Sequence, residues 1–390
     1  MSFTRLPISG RARQAAVPLF AVLTLAIGCV FGLFSYRFHW FPYNWAHELH
    51  LMLDQYDGPV LNQDVSTEIS IRRPQDAAIL RQHLCQLLWN SNELPKIMPI
   101  QVSPATDSRC EAFREWVDHT DDVLFEMEYG LNSHVYHFVP KQPNGALVLV
   151  HAGHEVDFFS LQSQIGELLQ RGYSVAAFCM PLMGLNNRPV VDLPHVGRMQ
   201  LTRHDEMKLL QPKNGHATKY FVEPVIGFLN YAEAFHYRQI SMLGLSGGGW
   251  TTVLAAAIEP RIQISFPVSG AYPIFLRVTK SDWGDWEQTS GKLYRTANYL
   301  ELFVLGGYGR GRQQCQVVNR YDSDCFAGDG WRAYADVVRN RTAELGTGKW
   351  DIFVDETHYA HIISDAAMKK FLDTLEPPAT LTKNESCRQK

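Results

Sequence analysis

Ile240-Ser241-Met242-Leu243-Gly244-Leu245-Ser246-Gly247-Gly248-Gly249-Trp250, continued by Thr251 to Ile258 (TTVLAAAI), decides the fold. Ile240 to Leu243 has the apolar run of a buried strand. Thr251 to Ile258 reads as a helix whose small residues allow close packing, and Pro260 stops it. Between them lies the pattern Gly-x-Ser-x-Gly. A serine on so sharp a strand-to-helix turn has its hydroxyl pushed into the open, with the helix N-terminus beneath it. Glycines flank it because the turn leaves no room for Cβ atoms. The strand before and the helix after carry this reading, since the short pattern alone recurs by chance.

Working outward, strand and helix signals alternate. Val123 to Tyr129 alternates as a half-buried strand, Gly130 to Ser133 supplies a turn, and Val135 to Val139 returns. Asn144-Gly145 precedes the apolar run Ala146 to Val150. Ser160 is placed to cap a helix bearing Leu161, Ile165, Leu168 and Leu169, ended by Gly172. Val175 to Met180, Ile262 to Val268, Tyr299 to Leu305 and Trp350 to Val354 read as strands. Val225 to Phe235 and the segment after Ser364 read as helices. The prediction is an α/β protein with a doubly wound, mostly parallel sheet. Two long connections, 181–218 and 270–298, leave the carboxyl ends of strands, where such sheets bind ligands, and are expected to roof the pocket.

At 390 residues, 46% hydrophobic and 19% charged, the chain suits one large ordered core. A net charge of −4 and the lack of a sustained basic patch give no case for nucleic acid. The N-terminus differs. Ala15 to Phe34 is uncharged, Arg5, Arg11 and Arg13 precede it, and Tyr36, Trp40, Phe41, Tyr43 and Trp45 follow. These features predict a transmembrane signal anchor over 15–36, after a cytoplasmic segment 1–14. A cleaved signal is the rival. The anchor would place a helical lead-in, 37–120, a catalytic domain, 121–376, and a flexible tail, 377–390, on the non-cytoplasmic side, periplasmic or extracellular. Export would permit disulfides, with Cys315–Cys325 or Cys85–Cys110 as the pairs to test.

A serine hydroxyl needs a base, and the base needs a partner to hold its tautomer. An acid is expected after the Tyr299 run, in Asn319-Arg320-Tyr321-Asp322-Ser323-Asp324, with Asp322 preferred, Asp324 the alternative and Asp329 trailing. The base is expected between the last strand and last helix, where His361 is preferred to His358. Donors for an oxyanion are expected from the backbone N–H of Gly247 and from His151-Ala152-Gly153-His154-Glu155. In that loop His154 is preferred, and Gly153 and Glu155 are the alternatives. No cofactor or metal is expected. The rival makes His151 and His154 zinc ligands together with His204 or Asp205. Trp250, Trp283 and Trp286 are equally suited to a carbohydrate or acyl pocket and to plain core, and Asp282, Asp285 and Glu287 to solvating a lid.

These motifs resemble the α/β-hydrolase superfamily from about Val123 to Leu375. The likeness rests on the turn around Ser246, the His-x-Gly-His loop at His151–His154 and the late His-x-x-Ser at His361–Ser364. The chain also resembles a bacterial branch in which Met180-Pro181-Leu182-Met183-Gly184, Ser246-Gly247-Gly248-Gly249-Trp250-Thr251 and Tyr321-Asp322 recur. Ala152 departs from the glycine that many relatives carry. The resemblance implies an ester-type hydrolase and supplies no substrate. Together with the N-terminal anchor and the candidate triad, the expectation is a membrane-anchored serine esterase acting on a small-molecule or glycan ester through an acyl-enzyme on Ser246. An acyltransferase using the same triad and an inactive binding protein of the same fold are the alternatives. Oligomeric state is not legible.

Overall fold

The computed structural model describes residues 10–38, 40–42, 64–154, 156–277, 283–322 and 324–375. The chain divides into two compact units, Met1–Gln55 and Tyr56–Lys390. In the first, helix α1 spans Gly10–Phe38. Among the described residues no helix is long and apolar enough to cross a membrane, which overturns the expected single-pass anchor and the non-cytoplasmic placement built on it. Residues 1–9 and the tail 377–390 lie outside the described residues.

The second unit is built on a nine-stranded sheet. Its strands are β1 (Gln101–Pro104), β2 (Val117–Glu126), β3 (Asn132–Pro140), β4 (Ala146–His151), β5 (Ser174–Phe178), β8 (Gln239–Leu245), β9 (Ile264–Val268), β10 (Gln313–Asn319) and β11 (Lys349–Asp355). A separate hairpin, β6 (Val190–Leu193) with β7 (Gly197–Gln200), rises from the first long connection. The spatial order is β1-β2-β3-β5-β4-β8-β9-β10-β11. The first three strands pair antiparallel, and the remaining six run parallel. Every residue of β4, β5 and β9 is buried, because helices cover both faces of a parallel sheet and leave no polar side to alternate with. From β4 the chain goes first to β5 on one side and then to β8 on the other. Loops leaving the carboxyl ends of β4 and β8 therefore diverge there and open a crevice between them.

Alternating side chains sort into two cores, one per face. Leu147 and Leu149 of β4 join one, Val148 and Val150 the other. Helix α2 (Pro74–Trp89), from the segment expected as a lead-in, buries Leu80, Leu84 and Leu88 in the first core. Its Arg81 donates to the terminal carbonyls of two later helices, Ala257 O at 2.9 Å and Leu305 O at 2.9 Å. Helices α3 (Gln162–Gln170), α4 (His204–Met207), α5 (Glu223–Ala232), α6 (Gly247–Ile258), α7 (Gly291–Thr296), α8 (Tyr299–Gly307), α9 (Ala335–Glu344) and α10 (Asp365–Leu375) complete the layers.

Three expectations are corrected. Tyr299 to Leu305 is not a strand but helix α8, opened by a capping box in which Asn298 and Glu301 bond each other's backbone N–H. All nine residues of α8 are buried, so no polar face betrays its period. The strand that precedes Asp322 is β10. Asp157, not Ser160, caps the turn before α3 by accepting from Phe159 N at 3.0 Å. Finally, neither expected disulfide, Cys315–Cys325 or Cys85–Cys110, is formed. Cys85 packs in one core and Cys110 against the other, and Cys315 and Cys325 divide the same way, so the sheet separates both candidate pairs.

Candidate active site

Ser246 sits alone between β8 and α6 with φ 56° and ψ −124°. That left-handed conformation is costly for a residue with a Cβ and persists only when its surroundings enforce it. Enforcement comes from both sides. Ser246 N donates to Val268 O at 2.9 Å, and Trp250 N closes the first helical turn on Ser246 O at 2.9 Å. The flanking glycines are required sterically. A Cβ on Gly244 would lie 2.2 Å from Gly248 O, and one on Gly248 would lie 2.2 Å from His151 O. The helix N-terminus then leaves Gly247 N–H without an intrahelical partner, beside the serine.

The loop after β4 closes against this turn. A Cβ on Gly153 would stand 2.8 Å from Ser246 Cβ, and one on Gly247 would stand 2.5 Å from His154 Cε1. Gly153 and His154 thus pack against the turn at Ser246 and Gly247, while Glu155 lies outside the described residues. His151 points elsewhere. It is buried, stacks on Phe178 at 5.7 Å and places Nδ1 2.9 Å from Ala152 O. Burial lowers its pKa to about 4 and keeps it neutral.

The expected acid and base meet. His361 Nδ1 lies 2.8 Å from Asp322 Oδ2 and 3.0 Å from Oδ1. Asp322 follows β10 and is buried. Its Oδ1 accepts from the backbone N–H of Asp324 at 2.8 Å and of Cys325 at 3.2 Å, and Asn319 Nδ2 lies 3.3 Å from Oδ2. Asn319 also donates to Ile362 O at 2.9 Å, tying the acid's loop to the histidine's. Burial opposes protonation of His361, but the hydrogen bond and charge of Asp322 outweigh it and raise the imidazole pKa.

The alternatives are engaged differently. Asp324 keeps its side chain exposed, and Asp329 is ion-paired with Arg320. His358 Nε2 lies 3.4 Å from Asp355 Oδ2, at the end of β11. Asp355 also accepts from Thr357 and from Ser364 Oγ, and Ser364 in turn caps α10 by accepting from Ala367 N at 3.0 Å.

A cavity of about 420 Å³ opens onto Ser246, lined by polar groups of His154, Arg203, His204, Asp285 and Gln288 together with Met183 and Phe326. None of the three tryptophans lines it. Trp250 is core and donates to Tyr294 Oη at 2.7 Å, Trp286 packs on the core, and Trp283 is exposed. Asp282 lies outside the described residues, and Glu287, expected to solvate a lid, is buried. Its Oε1 lies 3.0 Å from His154 Nε2 and 3.3 Å from His204 Nδ1. Burial disfavours charge on both partners, yet their mutual attraction and hydrogen bonds win, so His204 rises to about 10 and Glu287 falls to about 2. No local sequence signal identifies Glu287, since its partners lie far off in the chain.

No protein-family model matches the chain, and no curated protein matches its sequence. Solved structures do. Acetyl xylan esterase 1 from Thermoanaerobacterium sp. superposes with a TM-score of 0.51 at 15% identity, over 80% of this chain and 98% of that one. The acetyl xylan esterase from Paenibacillus sp. R4 gives 0.48 at 16% identity, over 79% and 98%. Strand order, the strained serine turn and the first superposition together define an α/β-hydrolase fold.

Proposed function

We propose that the chain is a serine hydrolase that cleaves a carboxylic ester. Ser246 Oγ attacks the ester carbonyl, and His361 takes its proton and returns it to the leaving alcohol. Asp322 holds the imidazole tautomer with its proton on Nδ1, so that Nε2 is the basic atom. The backbone N–H groups of Gly247 and His154 are assigned to the developing oxyanion, each worth roughly 3–4 kcal/mol of transition-state stabilisation. Water then resolves the acyl-enzyme on Ser246. The observation that carries this reading is the enforced φ of 56° and ψ of −124° at Ser246 on a sharp strand-to-helix turn, the backbone that presents a nucleophilic serine.

The substrate class follows from the cavity. Its lining is charged and polar, with only Met183 and Phe326 as large apolar surfaces, which suits a short acyl group on a polar alcohol. The fold neighbour with the higher TM-score is named an acetyl xylan esterase, and an acetylated carbohydrate is the proposed substrate here. The test is labelling of the full chain with a fluorophosphonate, followed by release of acetate from acetylated sugars. Ser246→Ala should abolish both with the fold intact. Activity retained in that variant would exclude the acyl-enzyme.

A further inference from the structure

Three segments from distant parts of the chain bring four metal-binding atoms together beside Ser246. His154 follows β4, His204 opens α4 in the first long connection, and Asp285 and Glu287 belong to the second. His154 Nε2 lies 3.0 Å from Glu287 Oε1 and 3.1 Å from Asp285 Oδ2. His204 Nδ1 lies 3.3 Å from Glu287 Oε1 and 3.5 Å from Asp285 Oδ2. All four atoms fall within 4.8 Å of one another. Bonds of about 2.0–2.2 Å to a tetrahedral ion set neighbouring donors roughly 3.3–3.6 Å apart. The four histidine–carboxylate separations are close to those edges, so a small adjustment of the side chains accommodates one ion.

Two further observations point to a cation. His204 Nε2 lies 2.8 Å from Pro181 O, so Nε2–H donates to that carbonyl. In the neutral tautomer this leaves the Nδ1 lone pair facing the cluster, the outer-shell arrangement that metal-bound histidines use. Glu287 is wholly buried, and its Oε2 has no hydrogen-bond partner among the described residues. Two carboxylates side by side, one without solvent, carry a charge that the His204 imidazolium offsets in the ion-free chain and that a divalent ion would take over as His204 gives up its proton.

We propose that the chain binds one zinc-class divalent ion through His154 Nε2, His204 Nδ1, Asp285 Oδ2 and Glu287 Oε1. Two imidazoles favour zinc over magnesium or calcium, and four protein ligands make a closed, structural site. The ion pins both long connections to the loop that carries His154, fixing the pocket roof beside the serine. The rival of His151 as a ligand fails because its ring is stacked on Phe178 in the core, and Asp205 is exposed outside the cluster. Nothing in this proposal depends on Ser246 being a nucleophile, so the two can fail separately.

The test is calorimetric titration of the full chain with Zn2+ after stripping with EDTA, with Co2+ uptake followed by visible absorption. One ion per chain is expected, with a higher Tm when loaded. Glu287→Gln and His204→Gln should weaken binding by about 100-fold or more and lose the Tm shift, while Asp205→Asn keeps both. Should either variant misfold, the cobalt spectrum of the wild-type chain decides by reporting tetrahedral nitrogen and oxygen ligation. Folded wild-type chain that takes up no stoichiometric ion, or variants that bind as tightly as wild type, would overturn the proposal and leave a purely ionic His–carboxylate cluster.

Discussion

His358 and His361 stand three residues apart and answer to different carboxylates, Asp355 and Asp322. The assignment of the base to His361 therefore makes a selective prediction. His361→Ala should lower kcat by roughly 10⁴-fold or more, and Asp322→Asn by about 10⁴-fold through loss of the tautomer. His358→Ala should keep its fluorophosphonate labelling. The raised pKa of His361 adds a pH signature. The base works only when neutral, so labelling should rise as pH climbs through a value above the ordinary 6.5 for histidine. Asp322→Asn should move that limb downward, and an acid limb below 6.5 in the wild-type chain would count against the pair. Ser246 and His361 each follow a strand that the sequence marks, whereas Asp322 follows β10, which the apolar run Tyr299–Leu305 displaced in the sequence reading. Asp285 and Glu287 were not legible, since only the folding of a long loop brings them to His154.

Among the elements, the turn around Ser246 leaves little freedom. Gly153→Ala would push a methyl against Ser246 Cβ, and labelling should fall while the far-UV spectrum is unchanged. Gly248→Ala meets backbone on His151 and cannot be relieved by a rotamer. Overpacking of that kind should cost about 1–3 kcal/mol, read as a lower Tm. Helix α8 illustrates why part of the fold stayed hidden. Its Leu300, Leu302, Phe303, Val304 and Leu305 are all buried, so an apolar run of strand length concealed a helix. Asn298 and Glu301, three residues apart, were the available signal. The parallel sheet was easier, because a continuous apolar run such as Ala146–His151 is what two covered faces demand.

At the scale of the whole molecule, the buried histidines His137 and His151 are each lowered to about 4 by desolvation and are neutral. An unfolded chain binds their protons near 6.5, so between pH 6.5 and 4 unfolding takes up protons and stability falls with pH. Thermal unfolding should show Tm dropping across that window. His137→Gln should flatten the slope by about 1.4 kcal/mol per pH unit, and an unchanged slope would place its titration elsewhere.

Arg81 has a consequence for how the chain comes to be made. Its partners Ala257 and Leu305 lie 176 and 224 residues further along. As the polypeptide leaves the ribosome, that guanidinium has no carbonyls to meet until most of the chain has been synthesised. Helix α2 is thus among the first segments of this unit to emerge and among the last to find its place, so a chain stopped short of Leu305 leaves its apolar face open to water. Folding governed by such distant contacts is slow, and the last turn of the helix behind Ser246 gains its support from Arg81 only when these two distant segments come together.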